Sequence, residues 1–81
     1  MSQVSVRFFA AAREAFGTKE QSITAGSLGD VVSTLTEAAS PEAATVLSRS
    51  SFLVNSVAAT DRDHPLAEGD TIDVLPPFAG G

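Results

Sequence analysis

Two short runs of alternating residues stand near opposite ends of this chain, and one helical stripe lies between them. Val4, Val6 and Phe8 alternate with Ser5 and Arg7, and Ile72 and Val74 alternate with Thr71 and Asp73. A period of two is that of a strand with one buried face. Leu28, Val31, Val32 and Leu35 recur at i, i+3, i+4 and i+7, the apolar stripe of an amphipathic helix. The stripe needs a surface to pack on, and a sheet built from the two terminal strands supplies it. The last strand then stops at Pro76-Pro77, since proline cannot donate to a ladder. Beyond it stand only Phe78, Ala79, Gly80 and Gly81.

In chain order, Val4 to Phe9 is the first expected strand. Phe9 breaks the alternation by placing an aromatic ring on the other face, where it either sits under a crossing segment or lies on a contact surface. Ala10 to Phe16 is a short alanine-rich helical turn, closed by Gly17 in a left-handed conformation. Lys19 to Thr24 is a second, mostly polar strand with Ile23 as its main apolar contribution. Ser27 and Asp30 have the spacing of a helix N-terminus, and Ser40-Pro41-Glu42 opens a further helix with Val46 and Leu47 inward. Phe52 to Asn55 is a strand, Asn55-Ser56 a tight turn, and Val57 to Thr60 its short return. Asp61 to Asp70 is an irregular loop from which Leu66 tucks into the core. Strands around a central helix, with the helices on one face, make an α+β roll. The expected fold is a ubiquitin-like β-grasp with a mixed sheet, its first and last strands side by side in the middle. The expectation is a single domain over residues 1–81, with 76–81 as an extended tail.

Composition narrows the function. At 81 residues, 43% hydrophobic and 19% charged, the chain suits one soluble globular domain. It contains no membrane-length apolar run and no signal-peptide pattern, which places it in the cytoplasm. Cysteine is absent, so disulfides, thiolate metal sites and cysteine nucleophiles are excluded within the chain. Ten acidic against five basic side chains give a net charge of −5, which disfavours nucleic acid and anionic membranes as partners. His64, the lone histidine, is expected as a surface turn residue. The acids between Asp61 and Asp70 lack the spacing of a calcium loop. Gly29, at a helix start, is expected as a close-packing position.

By elimination, the reactive group with a distinctive setting is the α-carboxylate of Gly81. An ionised carboxylate is a poor electrophile and needs activation, typically as an acyl-adenylate. Two glycines without side chains let such an end enter a narrow active site. From Pro76 an extended tail spans roughly 20 Å at ~3.3 Å per residue, enough to reach a buried site on a partner. Phe78 is then either an anchor in an apolar groove or a residue folded back on the sheet.

The segments FFAAAREAFG at Phe8 to Gly17, NSV at Asn55, DHPLAEGD at Asp63 to Asp70 and the terminal LPPFAGG together resemble the small subunit of molybdopterin synthase. The similarity runs over essentially the whole chain. It implies that an adenylating enzyme related to ubiquitin-activating enzymes converts Gly81 to an acyl-adenylate using ATP, and that sulfur transfer makes a thiocarboxylate. The tail would then enter the large synthase subunit and give its sulfur to cyclic pyranopterin monophosphate. No cofactor is expected to stay bound, and the catalytic residues belong to the large subunit. The resemblance assigns Gly81 as the reactive end and Pro77, Phe78, Ala79 and Gly80 as the tail held by the partner. Arg13 resembles a partner-contacting residue. Leu75 stands where the family often has an aromatic, and Ala59 where a larger apolar residue is common, so both fall at the partner face. The alternatives are a sulfur carrier for thiamine thiazole or cysteine synthesis, a ubiquitin-like modifier, and an interaction domain with an inert tail.

Overall fold

The computed structural model describes residues 1–77. Eight elements follow one another: β1 (Ser2–Phe8), α1 (Ala10–Phe16), β2 (Glu20–Ala25), α2 (Leu28–Ala38), α3 (Pro41–Arg49), β3 (Ser51–Val54), β4 (Val57–Ala58) and β5 (Thr71–Leu75). The five strands form one sheet in the order β2-β1-β5-β3-β4. β1 and β5 lie parallel at its centre, with Val6 opposite Ile72 and Phe8 opposite Val74, and the other pairings are antiparallel. The first and last strands therefore meet in the middle, as their apolar alternation predicts.

The inward face carries Val4, Val6 and Phe8 from β1, Ile72 and Val74 from β5, and Phe52 and Val54 from β3, all buried. Across them lies the α2 stripe, with Leu28, Val31 and Leu35 almost fully buried and Val32 half-buried at its edge. α3 turns Ala43 and Leu47 into the core and leaves Val46 half-buried, so the inward pair sits at i, i+4 and not on adjacent residues. α1 is pinned by Phe16, whose ring stacks on Phe8 with centroids 4.8 Å apart.

The helix ends follow local chemistry. The Ser27 hydroxyl accepts from the Asp30 N–H at 3.2 Å, and Asp30 reaches back to accept from the Gly26 N–H at 3.0 Å. Ser40 caps α3 in the same way, with Pro41 as its first residue. Gly17 closes α1 at φ 72° and donates to the Arg13 carbonyl. Asn55 and Ser56 both have positive φ, the signature of the two-residue turn that joins β3 to β4.

Some boundaries differ from the sequence expectation. β1 begins at Ser2 and ends at Phe8, because Ala10 adopts φ 49° and turns the chain off the sheet. β2 runs from Glu20 to Ala25, after the Thr18 hydroxyl bonds to the Glu20 carbonyl in a local turn. β3 ends at Val54, and β4 stops at Ala58 because Ala59 folds inward to 8% exposure.

The loop from Asp61 to Asp70 is tied down by its backbone. Leu28 N–H donates to the His64 carbonyl at 3.0 Å and Gly29 N–H to the Arg62 carbonyl at 2.8 Å. Leu66 is buried beneath it. A Cβ on Gly29 would sit 3.0 Å from that same Arg62 carbonyl oxygen. Helix propensity alone gives Gly29→Ala a gain of about 1 kcal/mol. The contact predicts a loss instead, since the carbonyl cannot retreat without lengthening its bond to Gly29. Urea denaturation of Gly29→Ala should show a lowered midpoint, and a raised one would contradict the packing argument.

Asp70 anchors the start of β5. Its carboxylate accepts from the Ala67 N–H at 2.8 Å and the Asn55 side-chain amide at 3.0 Å, and these bonds, in that order, hold its pKa below the ordinary value. The resulting stability is present above the unfolded carboxylate pKa of about 3.9 and is lost as pH falls through the lower folded value. Urea midpoints measured between pH 7 and pH 2 should therefore fall in acid, and Asp70→Asn should remove part of that fall.

Candidate functional site

The open face of the sheet is set by the same alternation that builds the core. Arg7 and Asp73 are opposite residues of the two central strands, and Leu53 lies opposite Asp73 on the next strand. Phe9 follows β1 beside Leu75, with its N–H donating to the Val74 carbonyl at 3.3 Å. The left-handed turn at Ala10 then lifts the chain into α1. Non-glycine residues are uncommon in that region, so the turn is a strained one.

The arrangement leaves an open groove of about 620 Å³ at the end of the sheet where β5 finishes. Among the described residues, Phe9, Ala10, Ala11, Arg13 and Glu14 line it from the α1 side, and Leu75, Pro76 and Pro77 from the strand end. Its lining is mostly apolar, with Arg13 and Glu14 as the charged members. Phe9 is an exposed large apolar side chain at 38%, so it does not sit under a crossing segment.

Three residues expected at a partner face, Arg13, Leu75 and Pro77, thus come together on one groove. Ala59 does not join them. It is buried in the core, its N–H bonded to the Phe52 carbonyl at 3.0 Å, beside a separate cleft of about 260 Å³ near Phe52 and Arg62. Phe78, Ala79, Gly80 and Gly81 lie outside the described residues. His64 serves the loop through its backbone, accepting from Leu28 and donating to the Asp61 carbonyl. Among the described residues no group of three His, Asp or Glu side chains is placed to hold a metal ion. Nor, among them, is any helix long and apolar enough to cross a membrane.

Sequence reasoning did not single out the pair at the centre of the open face. Arg7 donates to both Asp73 oxygens, from Nε at 2.8 Å and from Nη2 at 3.1 Å. The hydrogen bond and the carboxylate charge raise the pKa of Arg7 above its ordinary value. Asp73 is almost buried although it faces outward, while the Arg7 side chain is about half exposed. The Arg7 guanidinium also lies 5.6 Å from the centre of the Phe9 ring. Opposite charges at the same phase of two neighbouring strands were the available signal.

With this geometry in place, comparison with known proteins is informative. A model of the ThiS family matches residues 6–81. The solution structure of small archaeal modifier protein 1 (SAMP1) from Methanosarcina acetivorans matches with a TM-score of 0.86 at 28% identity, covering 100% of this chain and 98% of that one. A structure of the complex of subunits 1 and 2 of molybdopterin-converting factor from Helicobacter pylori 26695 contains a chain matching with a TM-score of 0.77 at 28% identity, over 98% and 99% of the two chains. CysO from Mycobacterium tuberculosis shares the fold, with a TM-score of 0.73 at 22% identity over 93% and 99%. No curated protein matches the chain in sequence. A match over all but the first five residues, on a mixed five-stranded sheet with its helices on one face, establishes that this chain is a ubiquitin-like β-grasp protein belonging to the ThiS family.

Proposed function

We propose that this protein is a sulfur carrier whose C-terminal Gly81 becomes a thiocarboxylate and donates its sulfur within molybdopterin synthase. The observation that carries this reading is the position of Pro76 and Pro77. They leave a central strand at the lip of a groove shared with Phe9, Arg13 and Leu75, and the small residues Ala79, Gly80 and Gly81 come after them in the sequence. A rigid strand supplies the mount and a narrow end the reach.

In this reading an adenylating enzyme joins the Gly81 carboxylate to the AMP portion of ATP with release of pyrophosphate. A sulfur nucleophile then displaces AMP from the acyl carbon, leaving sulfur in place of one carboxyl oxygen. The large synthase subunit receives the tail, provides the catalytic residues, and passes the sulfur to cyclic pyranopterin monophosphate. The protein itself keeps no cofactor, and Leu75, Pro77 and Arg13 hold the partner while Phe78, Ala79 and Gly80 thread its active site. The two-subunit Helicobacter structure supports a partner of this kind.

A modifier reading has a specific observation in its favour, the likeness to the archaeal modifier protein at the same 28% identity. There the activated Gly81 would pass to an amine. Lys19 is the sole lysine, so side-chain-linked chains have one possible branch point.

Incubation with ATP, a sulfur source and the adenylating enzyme should add mass to the tryptic peptide Asp63 to Gly81. That gain is close to the mass added by methionine oxidation, but this peptide holds no methionine. Deletion of Gly81 should leave the melting temperature unchanged and abolish dithiolene formation by the reconstituted synthase. Normal product from the truncated protein would overturn the proposal, and isopeptide-linked remnants on other proteins would favour the modifier.

A further inference from the structure

We propose that Arg7 is a specificity-determining residue of the docking face and that the partner it selects presents a carboxylate opposite it. The inference rests on the sulfur-carrier reading, in that the partner tested is the large synthase subunit. Asp73 occupies one Nε and one Nη donor of the guanidinium, and the remaining N–H groups have no partner among the described residues. The pair is held in place rather than waving in solvent: the bidentate fork fixes the plane of the guanidinium, and Phe9 lies beside it.

Arg7 is also continuous with the groove at the tail exit. A smaller cleft of about 190 Å³ is lined by Arg7, Phe9, Arg13, Lys19 and Glu20, and it shares Phe9 and Arg13 with the larger groove. A protein covering Phe9 and Leu75 therefore comes up against Arg7. Removing water from its spare donors is costly unless the partner brings an acceptor. A wholly apolar surface is thus penalised, while a carboxylate forms charge-assisted hydrogen bonds there.

Charge distribution favours a carboxylate. The chain has five basic side chains against ten acidic ones, yet Arg7, Arg13 and Lys19 gather around this single cleft. Glu14, Glu20 and Asp73 balance them locally, and Arg49 and Arg62 alone oppose the acids of the rest of the molecule. An acidic patch on a partner meets its least repulsive approach at this end.

The test is isothermal titration of the full-length protein with the synthase large subunit of the same organism, at 50 and 500 mM NaCl. The proteins compared are the wild type, Arg7→Leu, Arg7→Lys and the double variant Arg7→Leu/Asp73→Ala, which leaves no buried carboxylate unpaired. Thermal melts confirm that each variant is folded. At least tenfold weaker binding of the double variant, with a flatter salt dependence than wild type and partial recovery in Arg7→Lys, is the expected result. Wild-type binding that is matched or exceeded by the double variant overturns the role of Arg7 and leaves the sulfur-carrier reading standing. Failure of the wild type to bind removes the synthase reading instead. In that event alone, the same variants are compared by their KM in ATP–pyrophosphate exchange with the adenylating enzyme, where an unchanged KM overturns the role of Arg7.

Discussion

The parallel pairing of β1 with β5 is the contact on which the rest of the molecule depends. It brings the two most apolar strands together in the middle of the sheet, where Val6, Phe8, Ile72 and Val74 form the floor beneath α2. The same pairing sets Phe9 beside Leu75 at the sheet's end, so the groove arises directly from strand register. A slip of one residue would turn Ile72 and Val74 outward and separate Arg7 from Asp73. Core and site thus share one determinant.

Around that contact the chain divides its labour by face. The inward side is apolar and closely covered by helices, which makes it a rigid support. The outward side holds Ser5 and Thr71 at one end, the Arg7–Asp73 pair in the middle, and Phe9 with Leu75 where the tail departs. The stacking of Phe16 on Phe8 anchors α1, and with it the wall that carries Arg13. The residues that line the groove are therefore held by residues of the core.

Much of this was legible in the sequence because the signals were periodic or local. Alternation located β1 and β5, the i, i+3, i+4 spacing located α2, and Ser27, Ser40 and Gly17 marked ends through bonds within a few residues. The tight turn at Asn55-Ser56 was visible because Asn tolerates positive φ. Other features depend on tertiary placement. Alanine carries no signal for a left-handed conformation, so the turn at Ala10 and the release of Phe9 could not be read. Asp73 looked like any outward-facing acid, and its burial follows from Arg7 closing over it across a strand pairing that spans 66 residues of sequence. Ala59, assigned a place at the partner face by resemblance, turns inward because the chain leaves β4 one residue before it.

That central pairing also sets the order in which the molecule can be completed. Its two strands lie at opposite ends of the chain, so a large loop must close before the sheet has its core. During synthesis, β1 keeps an unpaired inner edge until β5 has emerged to pair with it. Pro76 and Pro77 follow β5 directly, so the groove they line exists only once the sheet is closed. A chain truncated before Thr71 lacks both the middle of the sheet and the strand side of the groove. Completion of the fold and formation of the groove are therefore one event.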